Sequence, residues 1–138
     1  MAIARGRHGA RRLAVQALYQ SQIAEHDLAS LLEQFRADPG YASADGDYFK
    51  ALLDDACRER DQLELDIAEF GDIPPAQLDP IEHAVLWVAL AELRFQEVPG
   101  PVILNEAIEL AKIFGAAGGH RYVNGLLDKA CARLRANN

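Results

Sequence analysis

Cysteine is scarce in this 138-residue chain, with Cys57 and Cys131 standing alone. Without a CxxC or a second pair, neither a zinc site nor a disulfide framework is expected, and both read as small buried hydrophobes in helical patterns. Histidine is equally dispersed: His8, His26, His83 and His120 fall in separate segments. None has the HExxH or Glu-x-x-His spacing of a metal centre, so no metal is expected. No apolar run approaches the roughly 20 residues that span a bilayer. The basic start MAIARGRHGARR is followed by no hydrophobic signal core, so a cytoplasmic location is the expectation. Strand-like alternation of apolar and polar residues is missing too, which leaves an all-α fold. The glycine-rich GAAGGH at 115–120 lacks the GK[ST] of a P-loop and follows no strand. It reads as a helix stop and a tight interhelical turn whose N–H groups stay available to a phosphate.

What the chain does have is an apolar core segment. Asp79–Phe95 reads DPIEHAVLWVALAELRF, with no polar side chain from Ala84 to Ala91 and the only tryptophan at Trp87. A helix this apolar on every side must be wrapped by others. Asp79 suits the N-cap, Pro80 the first helical position, and Glu82 stands where a capping box would reach back to the Asp79 N–H.

Other helices are expected around it. A first covers about 11–24. A second begins near His26 and Asp27, with Leu28, Leu31, Leu32 and Phe35 apolar, and stops at Asp38-Pro39-Gly40. YASADGD is then a loop. Phe49, Leu52, Leu53, Ala56, Leu63, Ile67 and Phe70 recur at helical spacing, with Arg60 in the one gap. This predicts one long helix from Asp47 to Phe70, or two that bend near CRERD. DIPPAQL forms a stiff linker, the best boundary between two halves. Next comes a helix in PVILNEAIELAKIFG. Its Ile103, Leu104, Ala107, Ile108, Ala111 and Phe114 face inward, Glu106, Glu109 and Lys112 face water, and Gly115 is a C′ glycine. A last helix spans about 119–135. Gly125 inside it suggests a close approach by a neighbour.

Charge is the strongest functional signal. The net charge is −7, which argues against a general nucleic-acid binder. Yet Arg5, Arg7, Arg11 and Arg12 all precede the first acid, Glu25, and the remainder carries all 21 acidic residues. A basic arm on an acidic body suggests one local anionic contact. At 100° per residue, Arg12, Gln16 and Tyr19 share a narrow helical sector. Arginine holds phosphate, glutamine bonds a base edge and tyrosine offers a ring to an unstacked base, a mix that suits single-stranded RNA. The competing reading is a solubilising terminus with Tyr19 packed inward.

ARRLAVQALYQ at 10–20, LDPIEHAVLWVALAEL at 78–93 and VILNEAIELAKIFGAAGGHRYVNGLLDKA at 102–130 resemble the NusB family of transcription antitermination factors. The resemblance implies one all-α domain over 1–138, with about seven helices in two roughly perpendicular three-helix bundles. These would lie at about 1–71 and 79–138, joined by the linker 72–78. It also implies a non-enzymatic factor that binds single-stranded boxA RNA of ribosomal RNA leader transcripts. The binding partner would be NusE, a small-subunit ribosomal protein, and the complex would help RNA polymerase resist termination. Carried over by position, the RNA contacts are Arg7, Arg11, Gln16 and Tyr19, with Arg121 and Tyr122 at the start of the last helix. Arg12 stands where the family often has Glu, which should strengthen phosphate contact. Gly118 and Gly119 replace polar caps, so only backbone contact remains there. Glu82 matches a position near the NusE surface. Both monomers and homodimers are compatible with the resemblance, and a dimer would cover the arginine face. Two alternatives stand beside this reading. One is the NusB-like RNA-binding domain of an rRNA cytosine methyltransferase, although no catalytic domain follows Asn138. The other is a helical protein-binding scaffold with a basic solubilising tail.

Overall fold

The computed structural model describes residues 2–24, 27–115 and 118–136, with side chains from Arg5 onward. His26 and the Ala116-Ala117 pair of GAAGGH therefore lie outside the described residues. Among the described residues, seven α-helices follow one another: α1 Ala2–Ile23, α2 Leu28–Arg36, α3 Gly46–Arg58, α4 Arg60–Phe70, α5 Pro80–Phe95, α6 Gly100–Phe114 and α7 Gly119–Leu134. Short 3-10 turns occupy Pro39–Ser43 and Pro75–Gln77. No strand occurs among the described residues, as expected from the missing alternation.

The apolar run of α5 is wrapped as its composition demands. Every residue from Glu82 to Leu93 is buried, and α1, α3, α4, α6 and α7 all pack against this helix. The Asp79 carboxylate accepts from the N–H groups of Ile81 at 2.9 Å and Glu82 at 3.4 Å, with Pro80 in the first turn. At the other end, the Arg135 guanidinium donates to the carbonyls of Glu92, Leu93, Gln96 and Val98. It satisfies groups that a helix C-terminus leaves open, and its positive charge complements the dipole there. Arg94 clamps α5 to α4 through a bidentate pair with Asp66, at 2.6 and 2.7 Å.

Between the two readings of residues 47–70, the structure has two helices broken at Glu59. Arg60, the gap in the apolar pattern, lays its guanidinium 4.5 Å from the centroid of the Trp87 ring. An amphipathic stem thus takes the place of a hydrophobe at that position.

Several expectations need correcting. The first helix starts at Ala2, well before residue 11, because its first turns are tied to the chain ahead of α3. Gly6 and Gly9 face Asp45 and Ala44 so closely that a Cβ on either would touch them at 3.4 and 3.2 Å, and Asp45 N–H donates to Gly6 C=O at 2.8 Å. Gly115 is extended rather than left-handed; the positive φ of 87° belongs to Gly118, the N-cap of α7. Gly125 is exposed, and a Cβ there would meet nothing within 4 Å, so no described helix approaches it. Glu106 does not face water freely: its Oε2 lies 2.6 Å from His8 Nδ1 and its Oε1 3.5 Å from an Arg11 nitrogen. Leu110 joins the inward face of α6, where Ile108 is only half-buried. Cys57 and Cys131 are free and half-buried.

Candidate nucleic-acid interface

Two consecutive arginines of α1 point to opposite environments. Arg12 is exposed, with its guanidinium 5.9 Å from the centroid of the Phe114 ring. Arg11 is 3 % exposed and forms a bidentate pair with Glu92 of α5, at 2.8 and 3.0 Å. Glu92, itself 1 % exposed, also accepts from the Tyr48 hydroxyl of α3. Burial works against the charged guanidinium, but the hydrogen bonds and charge of Glu92 outweigh it and hold the Arg11 pKa above its ordinary value. Burial and then the neighbouring carboxylate push the Tyr48 phenol up. The expectation that Arg11 reaches phosphate is therefore corrected, since its donors are engaged inside the fold. Arg7 is intermediate, its guanidinium 4.6 Å from the Tyr48 ring centroid, with a buried Nε that has no hydrogen-bond partner.

The exposed sector of α1 opens on a groove of about 720 Å³. Gln16, Tyr19, Gln20 and Ile23 form its α1 wall, with Gln34 and Phe35 of α2, Pro80 and Ile81 of α5, and Phe114 of α6 around them. Tyr19 is 38 % exposed, so its ring is offered to solvent rather than packed inward. Gln22 fixes the relation of α1 to α5 by donating to the Pro80 carbonyl at 2.7 Å.

The second expected patch is less uniform. Arg121 is exposed, and a Cβ on Gly118 would meet nothing within 4 Å, so the backbone there is open. Tyr122 turns away: its hydroxyl accepts from Ile73 N–H at 3.3 Å, and a Cβ on Gly71 would strike that same hydroxyl. The ring packs half-buried against the linker. Glu82 is 9 % exposed with its carboxylate against Gly119, where a side chain would clash with it. It is mostly covered rather than presented to a partner. Burial, and secondarily Asp79, raise its pKa. The small residue at 119, read in the sequence only as a missing cap, is what admits this carboxylate.

A family model, that of the NusB family, matches residues 8–132. The chain belongs to the NusB family. A transcription antitermination protein NusB from Shewanella halifaxensis is 44 % identical over 130 residues, 94 % of this chain and 96 % of its relative. One from Pseudomonas entomophila is 42 % identical over 130 residues, 94 % of this chain and 78 % of its relative. The solved structure of T. maritima NusB has a TM-score of 0.79 at 27 % identity, covering 90 % of this chain and 89 % of that one. A structure of NusB and NusE in complex with dsRNA agrees in fold, with a TM-score of 0.79 at 21 % identity over 91 % and 96 % of the two chains.

NusB-family proteins are transcription antitermination factors rather than enzymes. Nor do the described residues of this NusB-family chain bring three His, Cys, Asp or Glu side chains together as metal ligands, and no helix among them is long and apolar enough to cross a membrane. Gln34, Phe114, Pro80 and Ile81 carry no sequence signal as groove residues, because they come from three other helices. Gln20 and Ile23, one turn beyond Gln16 and Tyr19, have a periodic one.

Proposed function

We propose that this chain binds single-stranded boxA RNA of ribosomal RNA leader transcripts jointly with NusE, and that the complex helps RNA polymerase resist termination. The observation that carries the reading is the outward Arg12–Gln16–Tyr19 sector, with Arg12 and Tyr19 exposed and Gln16 half-buried, bordering a groove of mixed aromatic and amide character. A cation at its edge suits a phosphate, and an exposed ring suits an unstacked base. Family membership supports the assignment, as does the NusB–NusE complex with dsRNA solved for a protein of this fold. The contact set is Arg12, Gln16 and Tyr19, with Arg7, Arg121 and the Gly118 backbone as further phosphate contacts. Arg11 acts by positioning α1. NusE and the RNA polymerase complex are the partners, and sedimentation of the free protein distinguishes a monomer from a homodimer.

The test is a titration of a boxA strand and a scrambled strand, each with and without purified NusE. Tighter binding of boxA, enhanced by NusE, is expected. Arg12→Ala should flatten the log–log salt dependence by roughly 0.7, the slope carried by one phosphate neutralised on a single strand. Equal affinity for both strands would refute specific recognition, and salt-independent binding would favour a protein-binding scaffold.

A further inference from the structure

The α1–α2 side of the groove carries a solvent-exposed pair of side chains with an unusual arrangement. Gln20 Nε2 donates to Gln34 Oε1 at 2.8 Å, and Gln34 Nε2 donates to Gln20 Oε1 at 2.9 Å. Two amides closed into one ring each engage one N–H and one carbonyl lone pair. On each flank of the ring, one carbonyl lone pair stays next to one N–H of the other amide. That is a fixed acceptor beside a fixed donor. The hydrogen-bonding edges of unpaired nucleobases present donor and acceptor side by side in the same way.

The surroundings sort base from phosphate. Tyr19, Ile23, Pro80, Ile81 and Phe114 supply apolar and aromatic walls. Asp38 and Asp79 also line the groove, their carboxylates accepting from Gly40 N–H at 2.8 Å and Ile81 N–H at 2.9 Å. Two fixed negative charges repel a phosphate from the interior but do not repel a neutral base, and they accept from its amino groups. The nearby cation is Arg12, over Phe114 and outside the lining. A strand would therefore keep its phosphates at Arg12 and turn a base inward.

We propose that this groove receives one unpaired nucleobase of the bound strand, stacked on Tyr19, with the Gln20–Gln34 pair reading its edge. The inference rests on the RNA-binding reading and adds a specificity device to it. A lone glutamine on a surface is a flexible reader; two that fix each other lose that freedom before the RNA arrives, which favours one base geometry over others.

The experiment is a binding titration with a labelled boxA strand and a set of strands in which each nucleotide in turn lacks its base. In the wild-type protein, one abasic position should weaken binding by about 5- to 140-fold, the range expected for loss of one stacked base. In Tyr19→Ala, and separately in Gln20→Leu/Gln34→Leu, the intact strand should bind more weakly than it does to the wild type. Removing the base should then cost less than it does in the wild type, because one of its two contacts is already gone. All three side chains lie at the surface, and unchanged thermal melts confirm that folding is intact. A flat abasic profile in the wild type overturns the proposal. So does an unchanged profile in the groove variants while Arg12→Ala still weakens every strand, and that result leaves RNA binding itself standing. Groove variants that lose NusE capture but keep the profile overturn it in favour of a protein occupant. No binding of any strand, with or without NusE, removes both readings.

Discussion

Removing the Arg11 side chain should eliminate a large part of this protein's stability margin. In Arg11→Ala the Glu92 carboxylate, 1 % exposed, loses both guanidinium hydrogen bonds and keeps only the Tyr48 hydroxyl. Breaking a buried pair on one side costs about 3–5 kcal/mol, because the remaining charge is desolvated without compensation. Against a typical total of about 5–15 kcal/mol, that is a severe loss. It corresponds to a fall of about 10–20 °C in Tm for a chain of this length. Urea denaturation followed by circular dichroism measures it directly as a lower midpoint at unchanged slope. The second arm of the experiment is Arg11→Ala/Glu92→Gln. A neutral amide still accepts from Tyr48 and carries no stranded charge, so the double variant should regain at least about 1 kcal/mol over the single one. An unchanged midpoint for Arg11→Ala, coupled with weaker RNA binding, would refute the reasoning and return Arg11 to the surface. Failure of Glu92→Gln to rescue would show that the loss comes from packing rather than charge.

Tyr48→Phe should cost about 1.5–3 kcal/mol at neutral pH by deleting a hydrogen bond to a charged group. Because the folded phenol is pushed up, its contribution is present below about pH 10 and disappears as pH rises through the folded value, so only the wild type should lose this increment in alkaline denaturation. A variant as stable as the wild type at neutral pH would refute the role of the hydroxyl. For Glu82 the raised pKa means that the fold prefers the protonated acid. Its stabilising contribution is present below the ordinary glutamate range and is lost as pH rises through the folded value. Glu82→Gln should thus match the wild type in acid and exceed it in Tm at neutral pH. A lower Tm for Gln at neutral pH would mean that the α7 N-terminus holds the carboxylate charged. Gly125→Ala, in an exposed helical position with open space around it, should stabilise by about 0.5–1 kcal/mol. Any destabilisation would reveal a neighbour that approaches α7 in solution.

The parts of the fold visible in the sequence are those decided by residues within a few positions of one another. The apolar run of α5, its Asp79-Pro80 start and the Asp27 cap that accepts from Ser30 N–H at 2.8 Å all depend on local chemistry. The Arg12–Gln16–Tyr19 sector is legible for the same reason, since helical periodicity alone sets it. Arg11 is not legible, because its partner lies 81 positions away and nothing near residue 11 announces a buried carboxylate. Gly6 and Gly9 likewise look like helix breakers until the loop at Ala44 and Asp45 is seen against them. The groove falls between these cases. One wall belongs to α1 and can be read, whereas Gln34, Pro80 and Phe114 arrive by tertiary packing.

The adjacent fates of Arg11 and Arg12 explain how a protein with an acidic majority keeps one precise cationic edge. A free arginine-rich terminus would lose conformational entropy when it met a ligand, and binding would be weakened by that amount. Here the ordering is already done during folding. Arg11 anchors the middle of α1 to α5 through Glu92, His8 ties its early turns to α6 through Glu106, and Gln22 ties its last turn to Pro80. Between those anchors, Arg12, Gln16 and Tyr19 have little freedom to leave their sector. The central helix therefore serves the proposed site from both of its ends. It supplies Glu92 to hold the inner face of α1, and Pro80 and Ile81 to wall the groove that the outer face borders.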